Sequence, residues 1–473
     1  MERKKNMASY ETSAELRRAV EAAETVADAK LAKLGKLSAS ARMKLLFDEG
    51  TFVETGKYIG RKSTELDSGE DDSLEPVVTG YGAVNGVLVF AFSQDYSRLS
   101  GALGEMHAKK ICNVYDMAEK SCSPVVGIFD SAGAKILEGV DALAGYGEVM
   151  AKAANADIPQ IAVISGPCTG ANAVISQMMD ITVTAAKTGE MRMASSAVLE
   201  DKTLGTPEKL AEQGVSAITA ADDADALAKV RTLISCFGGE FVTSDNANRA
   251  VNIDSLMQGE YDVHAVINEV FDAGSFIELY AESAGMIVCG LAAMNGKVVG
   301  VMANNPAVKG GKLCPGSADK ALKFLGICDR YAVPVITLAD SCGIPSSDRA
   351  EEKGLAYKLA LFAKAYATAR VPKISVILGR AYGSLYSIFG SKAIGADIAF
   401  ALDSAKIAAM APEAAVEFLG IVNDESKHNE TAEKWAGEFA SPIRAAKSGH
   451  IDDIIASSEL RARIAAAVEM LTA

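Results

Sequence analysis

Short apolar runs typical of buried strands alternate along the chain with longer segments whose apolar positions have helical spacing. The run at residues 125–129 follows Pro124 and predicts a short buried strand. This strand breaks into residues 130–134, a turn of mostly small residues. In an α/β fold, ligands bind at the carboxyl ends of strands, and small residues let backbone N–H groups approach a substrate oxygen. The turn is therefore the first candidate site.

The same strand and turn occur again later in the chain. The second copy spans residues 334–343, and Asp340 stands 210 residues after Asp130 (340 − 130 = 210). An Asn-Gly hairpin signal between apolar runs recurs at the same offset, at residues 85–86 and 295–296. Because these matches keep one register, they predict an internal duplication.

Further elements follow from the same patterns. Residues 10–36 combine helical spacing with many charges, which predicts an exposed amphipathic helix, and a second helix is predicted over residues 105–120. The polar, acidic residues 61–75 predict a loop. A polar, turn-rich join separates the two copies, so we predict an N-terminal domain over residues 1–245 and a C-terminal domain over residues 246–473.

Composition agrees with this organisation and excludes some functions. A chain of 473 residues is longer than one compact core usually supports. Its net charge of −14 argues against a nucleic-acid partner, because phosphate neutralisation needs clustered Lys and Arg. No apolar run reaches membrane-spanning length, and the basic start is followed by polar sequence instead of an apolar signal core. We therefore expect a cytoplasmic protein.

Cysteine and histidine offer little support for metal chemistry. The eight cysteines include no CxxC pair, and without a secretion signal we expect free thiols. The four histidines include no HxxxH or HxH spacing, so no metal site is expected. His107 is interpreted as a structural helix residue rather than a general base.

Each half offers two small-residue turns after strands, and backbone N–H groups from two such turns would form an oxyanion hole. They lie at residues 131–134 and 169–171 in the first half and at residues 341–343 and 382–385 in the second. For one turn alone, the glycines would more simply serve a tight strand-to-helix connection, but four turns in repeated register favour a functional role. A serine nucleophile at either turn is disfavoured because no GxSxG motif surrounds it.

Several blocks of the sequence resemble the carboxyltransferase components of biotin-dependent acyl-CoA carboxylases and related decarboxylases. Residues 130–139, DSAGAKILEG, are similar to the family's DSGGARIQEG, and residues 165–173, SGPCTGANA, resemble its GPCAGGA. In the second half, residues 375–397 are similar to a family block that contains AYGGAY. The resemblance extends over about residues 10–420.

The resemblance implies an α/β fold with two tandem crotonase-like domains of the ClpP/crotonase type, each a ββα superhelix. Active sites would lie at a dimer interface, where the first domain of one subunit holds acyl-CoA and the second domain of its partner holds biotin. The implied activity moves a carboxyl group between biotin on a separate carrier protein and the α-carbon of a short acyl-CoA. A thioester enolate would be stabilised by backbone N–H groups.

Matching positions carry the family's site residues over to this chain. The resemblance implies catalytic roles for seven residues of the turns: Ala132, Gly133, Gly170, Ala171, Gly383, Ser384 and Leu385. It implies substrate-binding roles for five neighbours: Ser131, Ala134, Lys135, Tyr386 and Ser387. A solvated lysine is an equal alternative for Lys135. The departures SAGAK and GSLY, where the family has SGGAR and GGAY, leave the acyl group open.

Partners follow from a motif that the sequence lacks. No Met-Lys-Met biotinylation motif is present, so a separate biotin carboxyl carrier protein is expected, with a biotin carboxylase or a membrane decarboxylase subunit. We expect a homo-oligomer, either a dimer or a hexamer built as a trimer of dimers. Three alternatives stay open: the decarboxylase subunit of a sodium-pumping complex, a biotin-independent crotonase-like acyl-CoA enzyme, and a non-catalytic scaffold subunit.

Overall fold

The computed structural model describes residues 12–60, 62, 74–195, 197–238, 245–246, 249–421 and 427–473. The chain divides into two compact units after Gly238, whereas the sequence-based boundary lies at residue 245. The acidic loop predicted over residues 61–75 falls almost wholly outside the described residues.

The first unit contains strands β1–β8 and helices α1–α7. The strands are Val53–Thr55, Val77–Val84, Val87–Gln94, Val125–Ser131, Gln160–Thr169, Ile181–Ala185, Glu190–Arg192 and Ile218–Ala220. The helices are Ser13–Ala32, Ala39–Leu46, Glu105–Lys120, Val140–Asn155, Ala171–Met178, Pro207–Glu212 and Asp223–Phe237.

The second unit contains strands β9–β16 and helices α8–α16. The strands are Ile277–Leu279, Ile287–Met294, Lys297–Asn304, Val335–Ser341, Lys373–Tyr382, Ile398–Leu402, Lys406–Ala408 and Asp453–Ile455. The helices are Val263–Val270, Pro315–Arg330, Asp348–Glu352, Leu355–Thr368, Ser384–Ile388, Pro412–Phe418, His428–Phe439, Pro442–Lys447 and Leu460–Leu471.

The two units repeat one sheet topology. In the first sheet the strand order is β1-β2-β3-β4-β5-β6-β8, and β7 pairs with β5. Strands β1 to β3 pair antiparallel, and the pairs from β3 onward are parallel. The second sheet has the equivalent order, from β9 to β14 and then β16, with β15 beside β13. The predicted duplication is confirmed, and the carboxyl ends of β4 and β5 meet at one edge, as do those of β12 and β13.

Both predicted Asn-Gly hairpins are confirmed. Asn85 and Gly86 have φ angles of 50° and 80°, which suit the tight turn between β2 and β3. The carboxylate of Asp48 accepts the N–H groups of both turn residues, at 3.1 and 3.0 Å. Asp272 accepts the two N–H groups of the second hairpin turn in the same way, at 3.0 and 2.9 Å.

Apolar packing fixes the strand ends that bear the candidate turns. All seven residues of β4 are buried. Helix α3 contributes Ile111 and Tyr115, and α4 contributes Val149, to the core cluster that also holds Phe129 and Ile164. Burying each such side chain stabilises the fold by about 1.5–3 kcal/mol. The turns therefore extend from a rigid sheet.

No helix in the described ranges is long and apolar enough to cross a membrane. All eight cysteines lie in the described part of the chain and are free.

A histidine bridge in the second unit predicts a pH-dependent stability. The His264 ring contacts Asp262 through Nδ1 (2.6 Å) and Glu278 through Nε2 (2.8 Å). The hydrogen bond to Glu278 is the largest influence that raises the pKa of His264 from 6.5 to about 9. Because the folded-state pKa is raised, the bridge contributes fully below pH 6.5 and its contribution is lost as the pH rises through about 9.

We therefore expect His264→Gln to lower the melting temperature more at about pH 6 than at about pH 10. Thermal unfolding of both proteins at the two pH values measures this difference. An equal loss at both pH values would show that the ring acts without its charge.

Candidate active site

The two predicted backbone donors of the turn after β4, Ala132 and Gly133, differ in their hydrogen bonds. The N–H of Ala132 is committed to the carbonyl oxygen of Ser100, at 2.9 Å. Among the described residues, the N–H of Gly133 donates only to the hydroxyl of Ser131, at 3.2 Å. Gly133 adopts a φ of 127°, which favours glycine. Since an anion is a stronger acceptor than a neutral hydroxyl, the Gly133 N–H is the more available of these two donors.

The loop after β5 presents a second donor. Gly170 has a φ of 65° and donates its N–H to the carbonyl oxygen of Arg192, at 2.9 Å. Helix α5 starts at the next residue, Ala171, and no side chain of the described residues caps it. The first N–H groups of a helix have no partner within it. Among the described residues nothing accepts the N–H of Ala171, so it can donate to a ligand.

The two loops lie side by side. The regular register of β4 and β5 shifts near their carboxyl ends, and after this shift Ser131 pairs with Cys168. A Cβ atom placed on Gly133 would lie 4.0 Å from the carbonyl oxygen of Thr169. A cavity of about 150 Å³ adjoins both loops; it is lined by Ala132, Pro167, Thr169, Glu190, Arg192, Ala194 and Ser195.

A buried polar network, which the sequence reasoning missed, fixes the Ser131 hydroxyl. The side-chain amide of Asn172 donates to Ser131 Oγ at 3.0 Å and to the hydroxyl of Tyr146 at 2.9 Å. Its oxygen accepts from Gln94 at 3.1 Å. Asn172 lies in the quoted SGPCTGANA block, but its long-range partners leave no local sequence signal. Because an amide cannot serve as a general base, this contact orients the Ser131 hydroxyl without activating it.

The second unit repeats the hydrogen bonds of the first. The N–H of Cys342 donates to Gly310 O at 3.0 Å, and that of Gly343 meets Ser341 Oγ at 3.0 Å. Gly343, with a φ of 105°, is the counterpart of Gly133.

The second loop of this unit also matches its counterpart. Gly383 donates its N–H to Ala408 O at 2.9 Å. The N–H of Ser384, the first residue of α12, has no acceptor in the described part of the protein. Ser384 is exposed, whereas the Leu385 side chain is fully buried and lines a small cavity with Ile377 and Phe389. Leu385 can therefore contribute its backbone but not its side chain.

The predicted substrate-binding residues divide into committed and accessible ones. Lys135 is 4% exposed, and its ammonium group pairs with Glu138 at 2.6 Å and with the carbonyl oxygen of Lys62 at 2.8 Å. In this structure the Lys135 ammonium group thus has protein partners, and its substrate-binding role stays a prediction. Ala134 forms a bridge with Leu103 beside the turn. On α12, Tyr386 is partly exposed and Ser387 is exposed.

Among the described residues, the turns offer few side chains for acid–base catalysis or metal binding. His107 is completely buried, and burial lowers its pKa to about 3, so its ring is neutral. In the described ranges, no group of three or more His, Cys, Asp or Glu side chains could hold a metal ion. The chemistry that the turns support is stabilisation of an oxyanion by two backbone donors.

Comparison with known proteins agrees with this chemistry. The carboxyl transferase domain matches residues 31–473 of this chain. The chain belongs to the carboxyl transferase family. Methylmalonyl-CoA decarboxylase subunit alpha of Propionigenium modestum is 36% identical over 469 residues, covering 92% of this chain and 90% of the relative. The mitochondrial propionyl-CoA carboxylase beta chain of Homo sapiens is 34% identical over 467 residues, covering 93% of this chain and 86% of the relative.

A solved structure of transcarboxylase 12S, a hexamer assembly with methylmalonyl-CoA and methylmalonic acid bound, has the same fold. Its TM-score is 0.89 at 29% identity, covering 98% of this carboxyltransferase and 97% of that chain. The expected fold class and enzyme class are thus confirmed. The protein is a biotin-dependent carboxyltransferase of the propionyl-CoA carboxylase and methylmalonyl-CoA decarboxylase type, and CoA thioesters are the substrates of this family.

Proposed function

We propose that this carboxyltransferase moves a carboxyl group between biotin on a separate carrier protein and the α-carbon of a short acyl-CoA, with one task for each unit. The N–H groups of Gly133 and Ala171 hold the thioester oxygen. The N–H groups of Gly343 and Ser384 hold the ureido oxygen of biotin. The observation that carries this proposal is the repeated pair of reachable backbone donors, one pair in each unit.

The first unit stabilises negative charge where the reaction creates it. Loss of a proton or a carboxyl group from the α-carbon forms an enolate, which carries negative charge on the thioester oxygen. The N–H groups of Gly133 and Ala171 donate hydrogen bonds to this oxygen. The cavity of about 150 Å³ beside Ala132 would take the short acyl chain. Since the same enolate forms in carboxylation and in decarboxylation, these residues serve both directions.

The second unit has the features that a ureido group needs. A ureido oxygen accepts two hydrogen bonds, and Gly343 and Ser384 supply two donors from neighbouring loops. Biotin, when bound, carries the transferred carboxyl group and accepts the α-proton. We propose that a biotin carboxyl carrier protein delivers it and that the chain works as a homo-oligomer with a biotin carboxylase or a membrane decarboxylase subunit. The relatives named propionyl-CoA carboxylase beta chain and methylmalonyl-CoA decarboxylase subunit alpha support this assignment.

Biotin dependence tests the proposed function. Purified protein is incubated with malonyl-CoA or methylmalonyl-CoA, with and without free biotin, and the decarboxylated CoA ester is quantified by chromatography. We expect product only with biotin. Equal product without biotin would support the biotin-independent crotonase-like enzyme, and acyl-CoA binding without product would support the scaffold subunit.

A further inference from the structure

In the first unit, an aspartate occupies a bulge directly before the oxyanion turn. Between β4 and β5, Phe129 pairs with Ile164 and Ser131 pairs with Cys168. An advance of two residues along β4 is therefore matched by an advance of four residues along β5, which forms a bulge in β5. The carboxylate of Asp130 lies in this bulge. A Cβ atom on Gly166 would come within 1.9 Å of Asp130 Oδ1, so only glycine leaves room for it.

The second unit contains the same bulge with its own aspartate. Ala339 pairs with Ile377 and Ser341 pairs with Ala381, again two steps against four. A Cβ atom on Gly379 would come within 2.4 Å of Asp340 Oδ2. Because both units contain this buried carboxylate, it is a shared feature of the turn and not a peculiarity of one unit.

In the first unit, two cations hold the buried carboxylate. Lys36 Nζ lies 2.7 Å from Asp130 Oδ1, and Arg42 lies 3.0 Å from Asp130 Oδ2. Arg42 also pairs with Asp223 at 2.9 Å and donates to the carbonyl oxygen of Ser165 in the bulge at 3.1 Å. Asp130 and Arg42 are both 0% exposed. A buried ion pair is directional, so this cluster restricts the backbone on both sides of the bulge.

In the second unit, the cation comes from the bulge itself. Arg380 donates to Asp340 Oδ1 through its backbone N–H at 3.0 Å and its side-chain Nε at 2.9 Å. It also pairs with Glu260 at 2.9 Å. The repeat offset from Phe47 to Phe271 (271 − 47 = 224) aligns Glu260 with Lys36 (36 + 224 = 260). The charge at this position is reversed, yet the carboxylate in the bulge keeps a cationic partner.

We propose that Asp130 and Asp340 are positioning residues, each holding the turn that follows it so that the N–H of Gly133 or Gly343 points at its substrate oxygen. This inference rests on the proposed function. Neither carboxylate touches a reacting atom, because each is buried behind its turn. Since the two aspartates serve different units, they act on different substrates: Asp130 on the acyl-CoA and Asp340 on biotin.

Two matched variants, Asp130→Asn and Asp340→Asn, test this division. Asparagine keeps the size of the side chain and removes its charge. For Asp130→Asn we expect kcat/KM for the acyl-CoA to fall roughly 10- to 100-fold, with the KM for free biotin changed less than about twofold. For Asp340→Asn we expect the reverse: kcat/KM for biotin falls by a similar factor, and the KM for acyl-CoA is kept. A merely structural role would change both substrates' constants together in each variant, and that result would overturn the inference.

A second pair of variants keeps the test decisive if either asparagine variant does not fold. Lys36→Met and Arg380→Met remove partly exposed cations, with side chains 10% and 26% accessible, and leave the aspartates in place. We expect the same division by substrate with smaller factors, and circular dichroism checks folding. If the wild-type protein has no biotin-dependent activity, the proposed function itself is refuted. If the wild-type protein is active but the variants change the constants for acyl-CoA and biotin equally, only the positioning roles are refuted.

Discussion

Replacing Ala171 by proline is expected to lower kcat for carboxyl transfer by roughly 100- to 1,000-fold, the usual effect of losing one oxyanion donor. Ala171 is the first residue of α5, and proline suits this helix position because its missing N–H has no partner within the helix. The substitution therefore deletes the proposed donor with little other change. Proline at Gly133 would be less informative, because its φ of 127° is closed to proline.

Two matched proline variants complete this experiment. Ser384→Pro deletes the equivalent N–H at the start of α12, and we expect it to weaken the response to biotin while acyl-CoA binding is kept. Ser13→Pro changes the first residue of α1, which is exposed, and should leave the kinetics unchanged. Steady-state kinetics with varied acyl-CoA and varied biotin distinguish the three proteins. Full activity in a folded Ala171→Pro variant would remove this N–H from the mechanism.

The largest expected effect on stability comes from Arg461. Its guanidinium group pairs with Asp272 at 2.6 Å and donates to the carbonyl oxygens of Val270 and Asn246, at 2.7 and 3.0 Å. The side chains of Arg461 and Asp272 are both 0% exposed. Arg461→Met leaves the carboxylate of Asp272 buried without its cation, so we expect a loss of about 3–5 kcal/mol in the free energy of unfolding.

The duplication supplies a control for this substitution. Arg231 pairs with Asp48 at 2.7 Å in the equivalent hairpin anchor of the first unit, but there the side chains are 26% and 29% exposed. Solvent screening limits that pair, and we expect Arg231→Met to cost about 1 kcal/mol or less.

Urea denaturation measures both variants. Trp435 is the single tryptophan and lies in the second unit, so its fluorescence follows the unfolding of that unit, and circular dichroism follows the whole chain. Equal losses for Arg461→Met and Arg231→Met would show that burial does not set the contribution of these pairs.

The sheets and turns could be predicted from sequence because their signals are local. The helix expected over residues 105–120 is α3, Glu105–Lys120, and both Asn-Gly turns join antiparallel strands. The predicted buried strand at residues 125–129 is the start of β4, which continues to Ser131. Apolar periodicity and turn chemistry specify these features within a few residues.

The identity of the reachable donors could not be predicted, because it depends on distant partners. Ala132 and Gly133 look equivalent in the sequence, but Ser100 takes the N–H of Ala132 and leaves that of Gly133. The contact of Arg42 with Asp223 spans 181 residues, and neither residue has a local signal for it. Lys135 stands beside the turn in the sequence, yet its charge is directed into the protein toward Glu138. Sequence proximity to the site therefore did not decide which groups can meet a substrate.

The most direct test of carboxyl transfer follows the carboxyl carbon itself. Purified protein is given carboxyl-labelled methylmalonyl-CoA and free biotin, and label on biotin is measured together with propionyl-CoA. We predict that labelled biotin and propionyl-CoA form in equal amounts, and that both fall together in the Ala171→Pro variant. Propionyl-CoA that forms at the same rate without biotin, with no label recovered on biotin, would contradict the account.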